Sequence, residues 1–151
     1  MKNLDGMSRR YPKWIKHQIQ KIATHIITNP GVGVIPIINQ AFDALDYGRF
    51  DPKDMQFTEQ LDKHPNQYPE ERNARVRILG LELCVEKGEI VYWYESLANE
   101  RGYSTKIKDL SIKKYKEILW NKIEILLQIA GYNIEGIESD LLYRSESMAL
   151  I

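Results

Sequence analysis

Apolar residues recur at three- and four-residue intervals along most of the chain, which is the spacing of amphipathic α-helices. The pattern predicts a first helix over residues 12–28 and a second over residues 36–47. A short third helix is expected to start at Asp51 and to end before Pro65. Two more are predicted over residues 110–130 and 134–144. Most of the chain is therefore expected to be helical.

The longest apolar stretch runs from Pro69 to Gly102 and dominates the prediction. Proline suits a first helical position, and glycine is a frequent helix end. Between them, apolar residues occupy nearly the whole circumference of a helix. We therefore expect a central helix with neighbours on all sides, or two collinear helices that meet near Gly88. Cys84 lies in this stretch and is expected to be buried and inert.

The sequence contains no convincing alternation of apolar and polar residues, which a half-buried strand would show. Residues 90–94 have strand propensity, but they also fit a helical face. At 151 residues the chain is expected to form one domain. The prediction is an all-α bundle of five to seven helices around a long central hydrophobic helix, with residues 1–11 as an exposed arm and residues 145–151 as a tail.

Charge is segregated along the chain, although the formal net charge is zero. Residues 1–25 and 103–122 are rich in lysine and arginine, whereas residues 43–71 are rich in acids. No acid lies between Lys13 and Lys21 on the polar side of the first helix. Such a chain can present a basic face to a polyanion despite its neutral total. Alternatively, the basic and acidic segments neutralise each other in the folded protein.

The candidate binding residues are lysines and arginines chosen by this charge placement. Such side chains neutralise the phosphates of a nucleic acid without reading its bases. The candidates lie on the arm and first helix, at the start of the central stretch and after Gly102: Arg9, Arg10, Lys13, Lys16, Lys21, Arg72, Arg75, Lys106, Lys108, Lys113 and Lys114.

Sequence signals for catalysis, metal binding and membrane insertion are missing. The three histidines are scattered, no Cys-x-x-Cys pair is present, and no Gly-x-Ser-x-Gly motif occurs. Residues 22–42 lack Lys, Arg, Asp and Glu, but prolines and glycines interrupt them, so they do not predict a membrane span. The single cysteine fits a reducing compartment. We therefore predict a non-catalytic, cytoplasmic protein without a metal or cofactor.

A helical bundle of this size, basic along its first helix and at the start of its fifth, resembles the small subunit of CRISPR Cascade-type effector complexes. The resemblance implies a non-catalytic, all-α subunit of a nucleoprotein complex. Its partners would be the phosphate backbone of single-stranded DNA, other subunits and further copies of itself. The resemblance covers architecture and rests on no motif, so it assigns no individual residue.

Two other functions fit the same sequence. The main alternative is a helical adaptor or regulatory protein that docks on acidic protein surfaces and has no nucleic-acid role. The third is a small nuclease or transferase whose site lies on strands that the helical interpretation misses.

Overall fold

The computed structural model describes residues 10–29, 33–69, 74–132 and 134. Within these ranges the chain forms four α-helices and one three-stranded antiparallel sheet. The helices are α1 (Lys13–Thr28), α2 (Ile35–Asp46), α3 (Ala74–Glu82) and α4 (Ile112–Ile129); the strands are β1 (Phe57–Gln60), β2 (Ile90–Glu95) and β3 (Tyr103–Ser104). The fold is mixed α/β, and the prediction of an all-α bundle of five to seven helices is wrong.

Three of the predicted helices are confirmed, because α1, α2 and α4 begin and end within two residues of the predicted limits. Each has one apolar stripe that is buried and a polar side that faces water. Helices of this kind are readily predicted from the three- and four-residue spacing of their apolar residues. The predicted helix over residues 134–144 and the tail over residues 145–151 lie outside the described residues, apart from Ile134. Most of the predicted arm, residues 1–9, also lies outside them.

The predicted long central helix is wrong, because α3 ends shortly after its second turn. Cys84 adopts a left-handed conformation with φ of 55°. The N–H of Val85 donates to the carbonyl of Gly80 at 3.0 Å, and the N–H of Cys84 donates to that of Leu81 at 3.3 Å. These are the two hydrogen bonds of a Schellman helix end, where glycine is the usual left-handed residue. Cys84 is exposed, so its predicted burial is also wrong.

The later part of the predicted central helix instead contains β2, the middle strand of the sheet, and β3 follows directly after its predicted end at Gly102. β2 lies between β1 and β3 and pairs with β1 in a register that places Phe57 opposite Trp93. The predicted third helix is likewise replaced by a 3₁₀ turn, Pro52–Met55, followed by β1. Trp93 and Tyr94 are adjacent in the chain and both buried. The strand therefore lacks the clean alternation that would have revealed it in the sequence.

The core lies where α1, α2 and α4 pack on one another and on the sheet. Phe57 joins the layers, since its ring stacks on Trp93 at 5.7 Å and contacts Tyr115 of α4 at 6.0 Å. The Tyr115 hydroxyl donates to the carbonyl of Met55 at 2.7 Å. This bond holds α4 against the Pro52–Met55 turn, which faces α1 across a groove on the surface.

Candidate nucleic-acid interface

The polar side of α1 is basic from its first residue. Ile15, Ile19 and Ile22 are buried, which turns the opposite side of the helix toward water. Lys13 and His17 are exposed there, while Lys16 is half-buried. The first turn of α1 contains no acidic residue. Helical spacing thus places a row of lysine and histidine side chains along the exposed side of the helix.

A groove separates this side of α1 from the Pro52–Met55 turn and the start of β1. It has two adjoining parts, of about 420 Å³ and about 520 Å³, which share Lys13, Lys16 and Asp54. Lys53 lines it from the turn, opposite the two lysines of α1. We call this the α1 groove; its lining is Tyr11, Lys13, Trp14, Lys16, His17, Gln20, Asp51, Lys53, Asp54, Gln56 and Thr58.

The groove lysines form no ion pair within the described residues, although two carboxylates line the same groove. Asp51 is engaged locally, because its carboxylate accepts a hydrogen bond of 2.9 Å from the backbone N–H of Lys53 and caps the turn. Within the described part of the chain, Lys13, Lys16 and Lys53 are therefore available to bind an anion from outside the protein.

The groove also contains two aromatic rings with different surroundings. Tyr11 already has two partners inside the protein, because its ring contacts Phe57 at 5.6 Å and the ammonium of Lys122 lies 5.0 Å from its centre. Trp14 is half-buried, and among the described residues no other ring and no cation packs on it. Trp14 is thus the aromatic surface that the groove offers to a ligand.

Two of the predicted binding residues are engaged inside the fold. Arg75 lies 3.6 Å from one carboxylate oxygen of Glu95, and Lys114 lies 3.4 Å from the other. The Lys114 ammonium also donates to the carbonyl of Gly102 at 2.9 Å. The guanidinium of Arg75 lies over the rings of Trp93 and Tyr103, at 5.1 Å and 4.9 Å from their centres. These contacts tie α3 and α4 to β2.

A second ionic contact lies near this cluster. Arg101 donates to Glu82 at 2.9 Å and connects the end of α3 to the loop between β2 and β3. This hydrogen bond, together with the positive charge of Arg101, holds the pKa of Glu82 below its usual value. The carboxylate of Glu82 is therefore stabilised in its charged form by the folded protein.

The remaining predicted residues divide between several places. Lys21 is exposed farther along α1 but does not line the groove. Arg10 is exposed before α1, and its carbonyl accepts a hydrogen bond of 3.0 Å from the N–H of Thr58. A second basic group is exposed on the Ile107–Asp109 turn and the first turn of α4: Lys106, Lys108 and Lys113. Arg9 and Arg72 lie outside the described residues.

The groove combines residues that sequence spacing does not connect. Lys53 was not among the predicted binding residues, because it follows Asp51-Pro52 in an acidic segment, far along the chain from Lys13. Only the packing of the Pro52–Met55 turn against α1 brings it to the same groove. The one signal that the sequence offered was the absence of acids between Lys13 and Lys21, which marked the α1 side alone.

No known family model matches the chain, and a search of curated proteins finds no significant match. The resemblance to the CRISPR effector subunit depended on an all-α architecture, and the three-stranded sheet contradicts that architecture. None of the helices in the described ranges is long and apolar enough to cross a membrane. In the same ranges, no three His, Cys, Asp or Glu side chains come together as a metal site would require.

Proposed function

We propose that the protein is a non-catalytic binding protein that holds the phosphate backbone of a single-stranded nucleic acid in the α1 groove. The observation that supports this most directly is the convergence of Lys13, Lys16 and Lys53 from two elements on one open groove without an ion pair among the described residues. Lysines bind phosphates as point charges, independently of base sequence.

The position of these lysines on α1 adds a second argument. The N-terminal end of a helix carries a partial positive charge, and cations there are unfavourable by about 0.3–1 kcal/mol each. Lys13 and Lys16 lie in the first turns of α1, where no acidic residue offsets them. A bound phosphate would interact favourably with both lysines and with the helix end.

The second candidate function is binding to an acidic protein surface. The observation that favours it is the presence of Asp51 and Asp54 in the groove. A nucleic-acid backbone offers these carboxylates only repulsion, whereas an acidic protein surface can place its carboxylates on the groove lysines and interspersed lysines of its own on Asp51 and Asp54. Three lysines and a histidine still outnumber them in the lining, so we rank nucleic acid first.

The test is binding of a fluorescent single-stranded oligonucleotide, measured by anisotropy over a range of salt concentrations. The triple variant Lys13→Glu, Lys16→Glu, Lys53→Glu should bind at least about tenfold more weakly at low salt. Because each phosphate contact to a single strand contributes about 0.7 to the slope of log affinity against log salt, the slope should fall by about 2.

The matched control changes the same amount of charge elsewhere. The variant Lys106→Glu, Lys108→Glu, Lys113→Glu alters three exposed lysines of the second basic group, and it should retain most of the affinity. Equal losses in both variants would show that the groove is not the binding site. Binding of polyglutamate without binding of the oligonucleotide would support the acidic-protein alternative.

A further inference from the structure

We infer that the α1 groove binds a nucleobase as well as phosphate, with the base stacked on Trp14 while the neighbouring phosphates contact Lys13, Lys16 and Lys53. This inference rests on the proposed function and extends it from the backbone to the base. It predicts that the ligand is a strand with unpaired bases, since bases in a duplex are not available to stack on a side chain.

The position of Trp14 supports a stacking role. Trp14 follows Lys13 directly and precedes His17 by one helical turn, and all three line the same part of the groove. Its side chain is half-buried, so one portion packs against the core while the rest borders the groove. A ring fixed in this way loses little conformational freedom on binding, which favours stacking over contact with a mobile side chain.

Tyr11 does not compete for this role. Its ring already contacts Phe57 and has the ammonium of Lys122 over it, so it is less available to a base than the ring of Trp14. Gln56 and Thr58 line the same part of the groove as Tyr11. We assign this part to the sugar and phosphates of the strand, which need polar rather than stacking contacts.

The tryptophans make the inference measurable in the unmodified protein. The chain has three, and the other two, Trp93 and Trp120, are only 1% exposed. A nucleobase quenches the fluorescence of a tryptophan by stacking only when the base and the indole ring are in direct contact. Quenching on addition of a single strand therefore reports on Trp14, while anisotropy of a labelled strand reports on binding itself.

The experiment compares three probes of equal length on the full chain: an oligothymidine, an abasic strand with the same phosphates, and a duplex. We expect the oligothymidine to quench tryptophan emission and to bind about 5- to 150-fold more tightly than the abasic strand, the range expected for one stacked base. The abasic strand and the duplex should bind through their phosphates without quenching.

A Trp14→Leu variant completes the test, because leucine preserves apolar packing but cannot stack. It should lose quenching and bind oligothymidine and the abasic strand equally, whereas Trp14→Phe should keep part of the preference. Equal affinity of the unmodified protein for both strands, without quenching, would overturn the inference and leave the backbone proposal standing. Failure of every probe to bind at low salt would overturn both.

Discussion

Gly80 marks the closest approach between α3 and the 3₁₀ turn Pro65–Gln67. A Cβ atom on Gly80 would lie 2.6 Å from Cγ and 2.7 Å from Cβ of Pro65. Both atoms belong to a rigid ring, and Pro65 is itself buried. Neither partner can therefore move aside without a shift of the backbone.

Replacement of Gly80 with alanine should destabilise the protein by about 1–3 kcal/mol, because overpacking at this contact outweighs the better helix propensity of alanine. Urea unfolding followed by circular dichroism measures the change. Gly33→Ala is the matched control, since nothing lies within 4 Å of the added atom there. It should change the unfolding free energy by no more than about 0.5 kcal/mol. A Gly80→Ala variant as stable as the unmodified protein would contradict this packing.

At the level of secondary-structure elements, the end of α3 decides the fold. The left-handed residue Cys84 stops the helix and turns the chain toward β2. Left-handed backbone costs a residue with a β-carbon about 1–2 kcal/mol, whereas glycine adopts it freely. The sequence therefore contains an unfavourable residue at the position where the architecture changes from helix to strand.

Cys84→Gly should accordingly stabilise the protein by up to about 1 kcal/mol, after the greater entropy of glycine in the unfolded chain is deducted. Thermal melting measures the effect. Cys84→Ala is the control, because it also removes the thiol but keeps the β-carbon, and it should gain nothing. Equal stabilisation by both substitutions would trace the effect to the thiol rather than to the backbone.

The same element explains what the sequence could and could not predict. Helices α1, α2 and α4 have one buried side each, so the period of their apolar residues identified them. In the segment from Pro69 to Gly102, by contrast, both α3 and β2 place apolar residues on more than one side, and no glycine marks the end of α3. The α1 side of the groove followed from charge along one helix, whereas Lys53 required the tertiary contact.

At the scale of the whole molecule, two of the described carboxylates make the free energy of unfolding depend on pH. The hydrogen bond from Arg101 lowers the pKa of Glu82 from its usual value, and the hydrogen bond from Tyr68 likewise lowers the pKa of Asp62. A carboxyl group whose pKa is lower in the folded than in the unfolded state binds fewer protons when folded. Such a group adds to the free energy of unfolding at pH values above its pKa in the unfolded state. This contribution is lost as the pH falls through its pKa in the folded state.

We therefore expect the melting temperature to fall as the pH drops below about 4.5, with a shallower decline in Glu82→Gln, because that variant lacks one of the two groups. Melting curves across this range measure the effect. Glu117→Gln is the control: it removes the same charge from an exposed position of α4 for which the described residues supply no partner, and it should follow the unmodified profile. If the melting temperature of Glu82→Gln depended on pH in the same way as that of the unmodified protein, Arg101 would not stabilise the charged form of Glu82.

The connection between β1 and β2 has a consequence for the speed of folding. The two paired strands are separated by residues 61–89, which include the whole of α3, instead of by a tight turn. The chain must close this long loop before the first hydrogen bond between β1 and β2 can form. Closing the loop costs conformational entropy, which is compensated only later, when the contacts between the strands have formed. A bundle with short connections would fold from local contacts alone. This chain should instead fold at the slower rates of mixed α/β domains, with formation of the sheet after the helices as the limiting event.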